Sequence, residues 1–114
     1  MYNINLIQTF ADRYPRWKQS VDLSGVRYGL YFDWSTRMES WFVSVLDTND
    51  EVLLGGIRLV PVIDLLEKYR ASVPALPPGI LRVLDKESDT VTAEITRDNL
   101  GVRFLLSYTE TEED

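Results

Sequence analysis

Nine residues in the first third of the chain leave little choice of local structure: Val26, Tyr28, Leu30, Phe32 and Trp34 alternate with Arg27, Gly29, Tyr31 and Asp33. A period of two puts the first set on one face of a β-strand and the second on the other. A slip of one residue would turn the whole apolar set into water, so this strand must lie on a core in one register. Its neighbours follow the same rule. Trp17, Val21 and Leu23 alternate with Arg16, Lys18, Ser20 and Asp22, and Ser24-Gly25 provides a turn between the two runs. Ser35-Thr36-Arg37-Met38 can connect to a return strand over Glu39 to Leu46, and Asp47-Thr48-Asn49-Asp50 to another over Glu51 to Val60. Asp and Asn bond their own backbone in such turns and tolerate left-handed conformations. These segments form an antiparallel meander. Gly55-Gly56 inside the last of them indicates a bulge, a close backbone approach or a plain kink.

Residues 3 to 8, Ile80 to Leu84, Thr90 to Thr96 and Val102 to Tyr108 read as further strands. Between them, Pro61 opens the one stretch with helical spacing, Val62, Leu65, Leu66 and Tyr69, with Lys68 and Arg70 near its end. Proline is tolerated at a helix start and cations complement a helix C-terminus. Pro74, Pro77, Pro78 and Gly79 then forbid regular structure. The pattern predicts a mainly β fold, a small antiparallel β-sandwich or barrel of seven to eight strands, with one short helix near 62–70. Residues 1–109 form the expected single domain, and the acidic residues 110–114 a frayed tail.

Composition narrows the chemistry. The 114 residues contain no cysteine and no histidine, which removes disulfides, thiolate nucleophiles, the commonest general base and the commonest transition-metal ligand. No apolar run approaches the roughly 20 residues of a membrane span, and the N-terminus lacks a secretory signal, so synthesis and folding in a cytoplasm are expected. The net charge is −6, but with Glu110, Glu112, Glu113 and Asp114 set aside, 12 bases face 14 acids. A balanced body offers no basic stripe to a phosphate backbone. Nine of the twelve bases are Arg, the cation suited to fixed contacts across protein interfaces.

No constellation carries catalysis. The acidic loop 85–89 has Thr90 and Thr96 where a calcium loop needs Gly and Glu, and the loop from Asp47 has Arg58 at its twelfth position. The serines have no histidine to activate them, and nothing distinguishes one carboxylate pair among 18 acids. No cofactor, metal site or catalytic residue is expected. The strand aromatics mostly belong to the core, with a surplus, Tyr31 and one of Trp41 or Phe42, pointing outward to a protein partner rather than to stacked bases.

Several stretches in order resemble a family of small proteins of tailed bacteriophages, the baseplate plug proteins. An aromatic strand leads into Trp34-Ser35-Thr36-Arg37, and a Trp-rich return strand starts at Trp41. Gly56-Ile57-Arg58-Leu59-Val60-Pro61 follows, with Asp64-Leu65-Leu66 and Tyr69-Arg70 behind it. The run from Leu76-Pro77-Pro78-Gly79 through Asp85, and that from Arg97-Asp98-Asn99-Leu100-Gly101 through Tyr108, complete the series. Ser35 stands where the family's turn would carry Asn. The resemblance implies a non-enzymatic, structural subunit of the virion, in the central baseplate of a contractile tail near the junction of tube, hub and spike. Its partners would be other tail proteins, with several copies around the tail axis and neither nucleic acid nor membrane. The matching positions read as structural: Gly56 and Gly79 for backbone geometry, Pro61 for the helix start, and Gly101 for the turn before the last strand. Arg27, Tyr31, Arg37 and Arg58 are the outward-facing interface candidates. Readings from other classes are a small nucleic-acid-binding barrel and a carboxylate-dependent cell-wall hydrolase.

Overall fold

Alternation becomes burial in the four-stranded sheet. The computed structural model describes residues 2–61, 63–87 and 94–111. β2 (Arg16–Leu23), β3 (Val26–Ser35), β4 (Ser40–Leu46) and β5 (Val52–Arg58) form the meander in the order β2-β3-β4-β5. Tyr28, Leu30 and Phe32 of β3, and Trp41, Val43 and Val45 of β4, are buried on its inner face. Trp17, Val21 and Trp34 pack partly buried beside them, whereas Val26, at the end of β3, is exposed.

A second sheet is built from strands distant in sequence. β1 (Tyr2–Ile7), β6 (Ile80–Asp85) and β7 (Phe104–Thr111) pair antiparallel in the order β1-β7-β6. Leu81 and Val83 of β6 and Phe104, Leu106 and Tyr108 of β7 join the same core cluster as the inner face of the meander. The architecture is mainly β, with seven strands among the described residues in two antiparallel sheets over one core. The last strand runs later than its alternation suggests: 101–103 are a turn, and Glu110 and Thr111, expected in the tail, lie in β7. The Glu110 carboxylate accepts the Ser24 N–H at 2.8 Å. Residues 112–114 and 88–93 fall outside the described residues, the latter including the first four of the strand expected over 90–96, whose last three residues have no regular structure.

Among the described residues the stretch with helical spacing holds one 3-10 turn, Glu67–Tyr69, rather than the short helix expected near 62–70. Tertiary bonds claim the groups a helix would use. Pro61, expected at the helix start, bridges in parallel to Val83, and the Leu65 N–H donates to the Leu81 carbonyl at 2.8 Å. The segment therefore lies along the edge of β6. Leu65 and Leu66 still bury almost fully and Tyr69 partly, while Val62 lies outside the described residues, so the same spacing served a different backbone.

Gly55-Gly56 marks a bulge. The β4–β5 register shifts between Val43 and Val45 and again between Val45 and Leu46. Gly56 has φ +64°, a built Cβ there would meet nothing within 4 Å, and its N–H donates to Ser44 Oγ at 2.9 Å. Close approach is thus not its role; the left-handed backbone is. Gly56→Val should lower stability by about 1–3 kcal/mol through backbone strain alone. An unchanged urea midpoint would show that the bulge relaxes freely.

Tyr28 ties the meander to the proline-rich linker: its hydroxyl donates to the Ala75 carbonyl at 3.0 Å. Burial, and then the neighbouring Tyr108, push its pKa above the usual 10.0. The unfolded chain therefore loses this proton first as pH rises. The stabilisation is whole below pH 10 and disappears as pH climbs through the folded-state value. Tyr28→Phe should lower stability by about 0.5–1.5 kcal/mol at neutral pH. Urea midpoints of the two proteins should converge above pH ~10; a constant gap would contradict the linkage.

Candidate protein interface

The outer face of the four-stranded sheet holds three of the four outward-facing candidates. Register sets Arg16, Asp33, Phe42 and Arg58 side by side in one row across β2, β3, β4 and β5. The next row is Lys18, Tyr31 and Ser44, and Arg27 faces Asp22 further along the same face. Arg37 lies in the turn between β3 and β4, exposed, a few residues beyond the Asp33 row. Alternation along β3 and the β4–β5 register thus place Arg27, Tyr31 and Arg58 on one face.

Most charges on this face are matched. Arg16 Nε stands 3.4 Å from Asp33 Oδ1, Lys18 Nζ 3.0 Å from Asp50 Oδ1, and Arg27 Nε 3.5 Å from Asp22 Oδ1. All six side chains are substantially solvated, so the pairs contribute little to stability and can exchange partners cheaply. Asp50 reaches the face because the turn after β4 folds over Gly29, where a Cβ would press Leu46 at 3.3 Å. Asp47 Oδ1 holds that turn by accepting the Asn49 and Glu51 N–H groups at 2.8 and 3.0 Å. Among the described residues Arg58 has no ion-pair partner. It stands beside the half-buried Phe42 and at the rim of a groove of about 420 Å³ that Ile57, Ile63, Lys68 and Tyr69 help to line.

The aromatic surplus resolves the same way. Trp41 is fully buried, in edge contact with Trp17 and Trp34 at 5.5 Å each, while Phe42 shares the outer face with Tyr31. Trp17 stacks on Phe32 at 4.5 Å. The rings that could have stacked bases are thus interior. A face with a half-buried tyrosine and phenylalanine and an unpaired arginine among exchangeable ion pairs has the makeup of a protein contact.

The structural candidates spread elsewhere. Gly79 sits under Tyr108, whose buried hydroxyl accepts the Gly79 N–H at 2.7 Å and bonds Ser24 Oγ at 2.7 Å. The Gly79 carbonyl accepts from the Arg70 guanidinium, which also pairs with Asp64 at 2.7 Å. These bonds clamp the proline-rich linker to both sheets. Gly101 lies in the turn where the Asn99 carbonyl accepts the Arg103 N–H at 3.0 Å. Sequence reasoning missed Tyr108, Arg70 and Asp64, since nothing local marks a hydroxyl or an ion pair whose partners come from distant segments. Asp85, in the acidic loop, is buried against Arg103 at 3.0 Å.

No curated protein matches the chain. Residues 1–112 match the family described as the cyanophage baseplate Pam3 plug gp18. That match spans both sheets and every element that carries the outer face, and the chain belongs to this family of phage baseplate plug proteins.

Proposed function

We propose that the chain is a stoichiometric structural part of a phage tail baseplate, seated near the tube-spike junction of a contractile tail and held there by its outer sheet face. The family match carries the baseplate role. The face around Tyr31, Phe42 and Arg58 supports attachment by protein contacts, with hub, spike or tube subunits as neighbours and several copies around the tail axis. Arg37 extends the contact at the β3–β4 turn, and Arg27 at the far end of the face. The chain works by filling space and bridging neighbours, without catalysis, cofactor, nucleic acid or membrane.

The test is incorporation. Tyr31→Ala and Arg58→Ala should each reduce the copies retained in purified particles about tenfold, as loss of an interface anchor of about 1–2 kcal/mol implies. Their unfolding midpoints should match the parent, and Thr48→Ser, in an exposed turn, should change neither readout by more than about 0.5 kcal/mol. Mass spectrometry of virions gives the count and cryo-electron microscopy the position. A mature tail without the chain overturns the reading.

A further inference from the structure

β1 is the one sheet edge among the described residues that nothing protects. It pairs with β7 alone, so a row of its N–H and C=O groups faces outward, a template for another strand. The other three edges are each blunted. β2 presents Arg16, Lys18 and Asp22; β5 is broken by its bulge; β6 is covered by the Pro61–Val83 bridge and the Leu65–Leu81 hydrogen bond. Charges, bulges and cover are the usual devices against edge pairing. β1, Tyr-Asn-Ile-Asn-Leu-Ile, has no charge, proline, glycine or register shift. Its Ile4 and Leu6 are 62% and 61% exposed on one face.

We propose that β1 pairs antiparallel with β1 of a second copy, about a two-fold axis through Asn5, and joins two three-stranded sheets into one of six. Residues opposite each other across strands share a face, so a two-fold axis normal to the sheet must pass through a residue. Centred on Asn5, it sets each Ile4 beside the other copy's Leu6 and covers all four exposed side chains. Each Ile4 then lies at the mouth of a groove of about 440 Å³ that Leu6, Val102 and Leu105 help to line. Val102 is itself 63% exposed. An uncharged strand meets its own copy without repulsion, and the spacing of its apolar pair is self-complementary, which is why a second copy is the occupant. One short strand and four side chains make a joint below about 1,200 Å², the size of weak, reversible contacts.

Sedimentation of the full chain over a range of concentrations should show a monomer–dimer equilibrium. Ile4→Lys and Leu6→Lys, both at exposed positions, should weaken it at least tenfold and leave the unfolding midpoint unchanged. The parent has no cysteine, so Asn5→Cys provides a single thiol. Opposed positions on paired strands lie about 4.5–5.5 Å apart at Cα, within disulfide reach. Asn5→Cys should therefore oxidise to a covalent dimer faster than Ser20→Cys on β2. A monomer at every concentration, equal cross-linking of the two thiols, or association that survives both lysines would overturn the proposal.

Discussion

Gly79→Ala should lose about 3–5 kcal/mol of stability and leave little folded protein at 37 °C. The reason is space. A Cβ at Gly79 would fall on the Thr109 carbonyl oxygen and within 2.6 Å of the Tyr108 hydroxyl. Neither neighbour can yield: Thr109 is held in the β6–β7 ladder opposite Ile80, and Tyr108 is fully buried. Overpacking alone costs about 1–3 kcal/mol and sometimes more. Displacing the Tyr108 ring also strands the Gly79 N–H and weakens its bond to Ser24, and a buried donor left unpaired adds about 1–3 kcal/mol. Total stabilities of about 5–15 kcal/mol leave little margin for such a loss. A urea midpoint within error of the parent would show that the linker shifts aside.

Trp41→Ala should lose about 3–5 kcal/mol, the range for truncating a large buried aromatic. Trp41 is fully buried, touches Trp17 and Trp34 by their edges, lies under the Arg97 guanidinium at 5.1 Å, and donates its indole N–H to the Thr96 carbonyl at 3.2 Å. The cavity would open between the four-stranded sheet and the segment leading to β7. Trp34→Ala, at a half-buried neighbour, should lose roughly half as much, because less apolar area leaves the core. Equal losses for the two would place the energetic centre outside Trp41. Near-ultraviolet circular dichroism should lose its tryptophan bands in Trp41→Ala before the far-ultraviolet β signal falls.

The meander was legible because its determinants are local. A period of two fixed the inner face of β3, and Asp47 announced the turn it builds. Alternation along β3 put Arg27 and Tyr31 on one face, but only register beyond the β5 bulge shows Arg58 on that face beside Phe42. The three-stranded sheet was not legible as a sheet, since the pairing of Tyr2 with Thr111 leaves no sign in either segment. The stretch from 62 to 70 illustrates the same limit: its spacing fits a helix, and bonds to β6 decide otherwise.

That topology sets an order of events during synthesis. The meander is complete once Arg58 has left the ribosome, and it can assemble by closing short turns. The other sheet cannot, for its central strand is β7, the last of its three strands to be made, and both β1 and β6 depend on it. Until then Leu81, Val83 and the inner residues of the meander wait without their cover, and exposed apolar surface of this kind is what chaperones bind and what aggregates. Ribosome-bound chains halted before Phe104 should accordingly carry a protected meander beside a protease-sensitive β6, with protection of β6 arriving only once β7 has emerged.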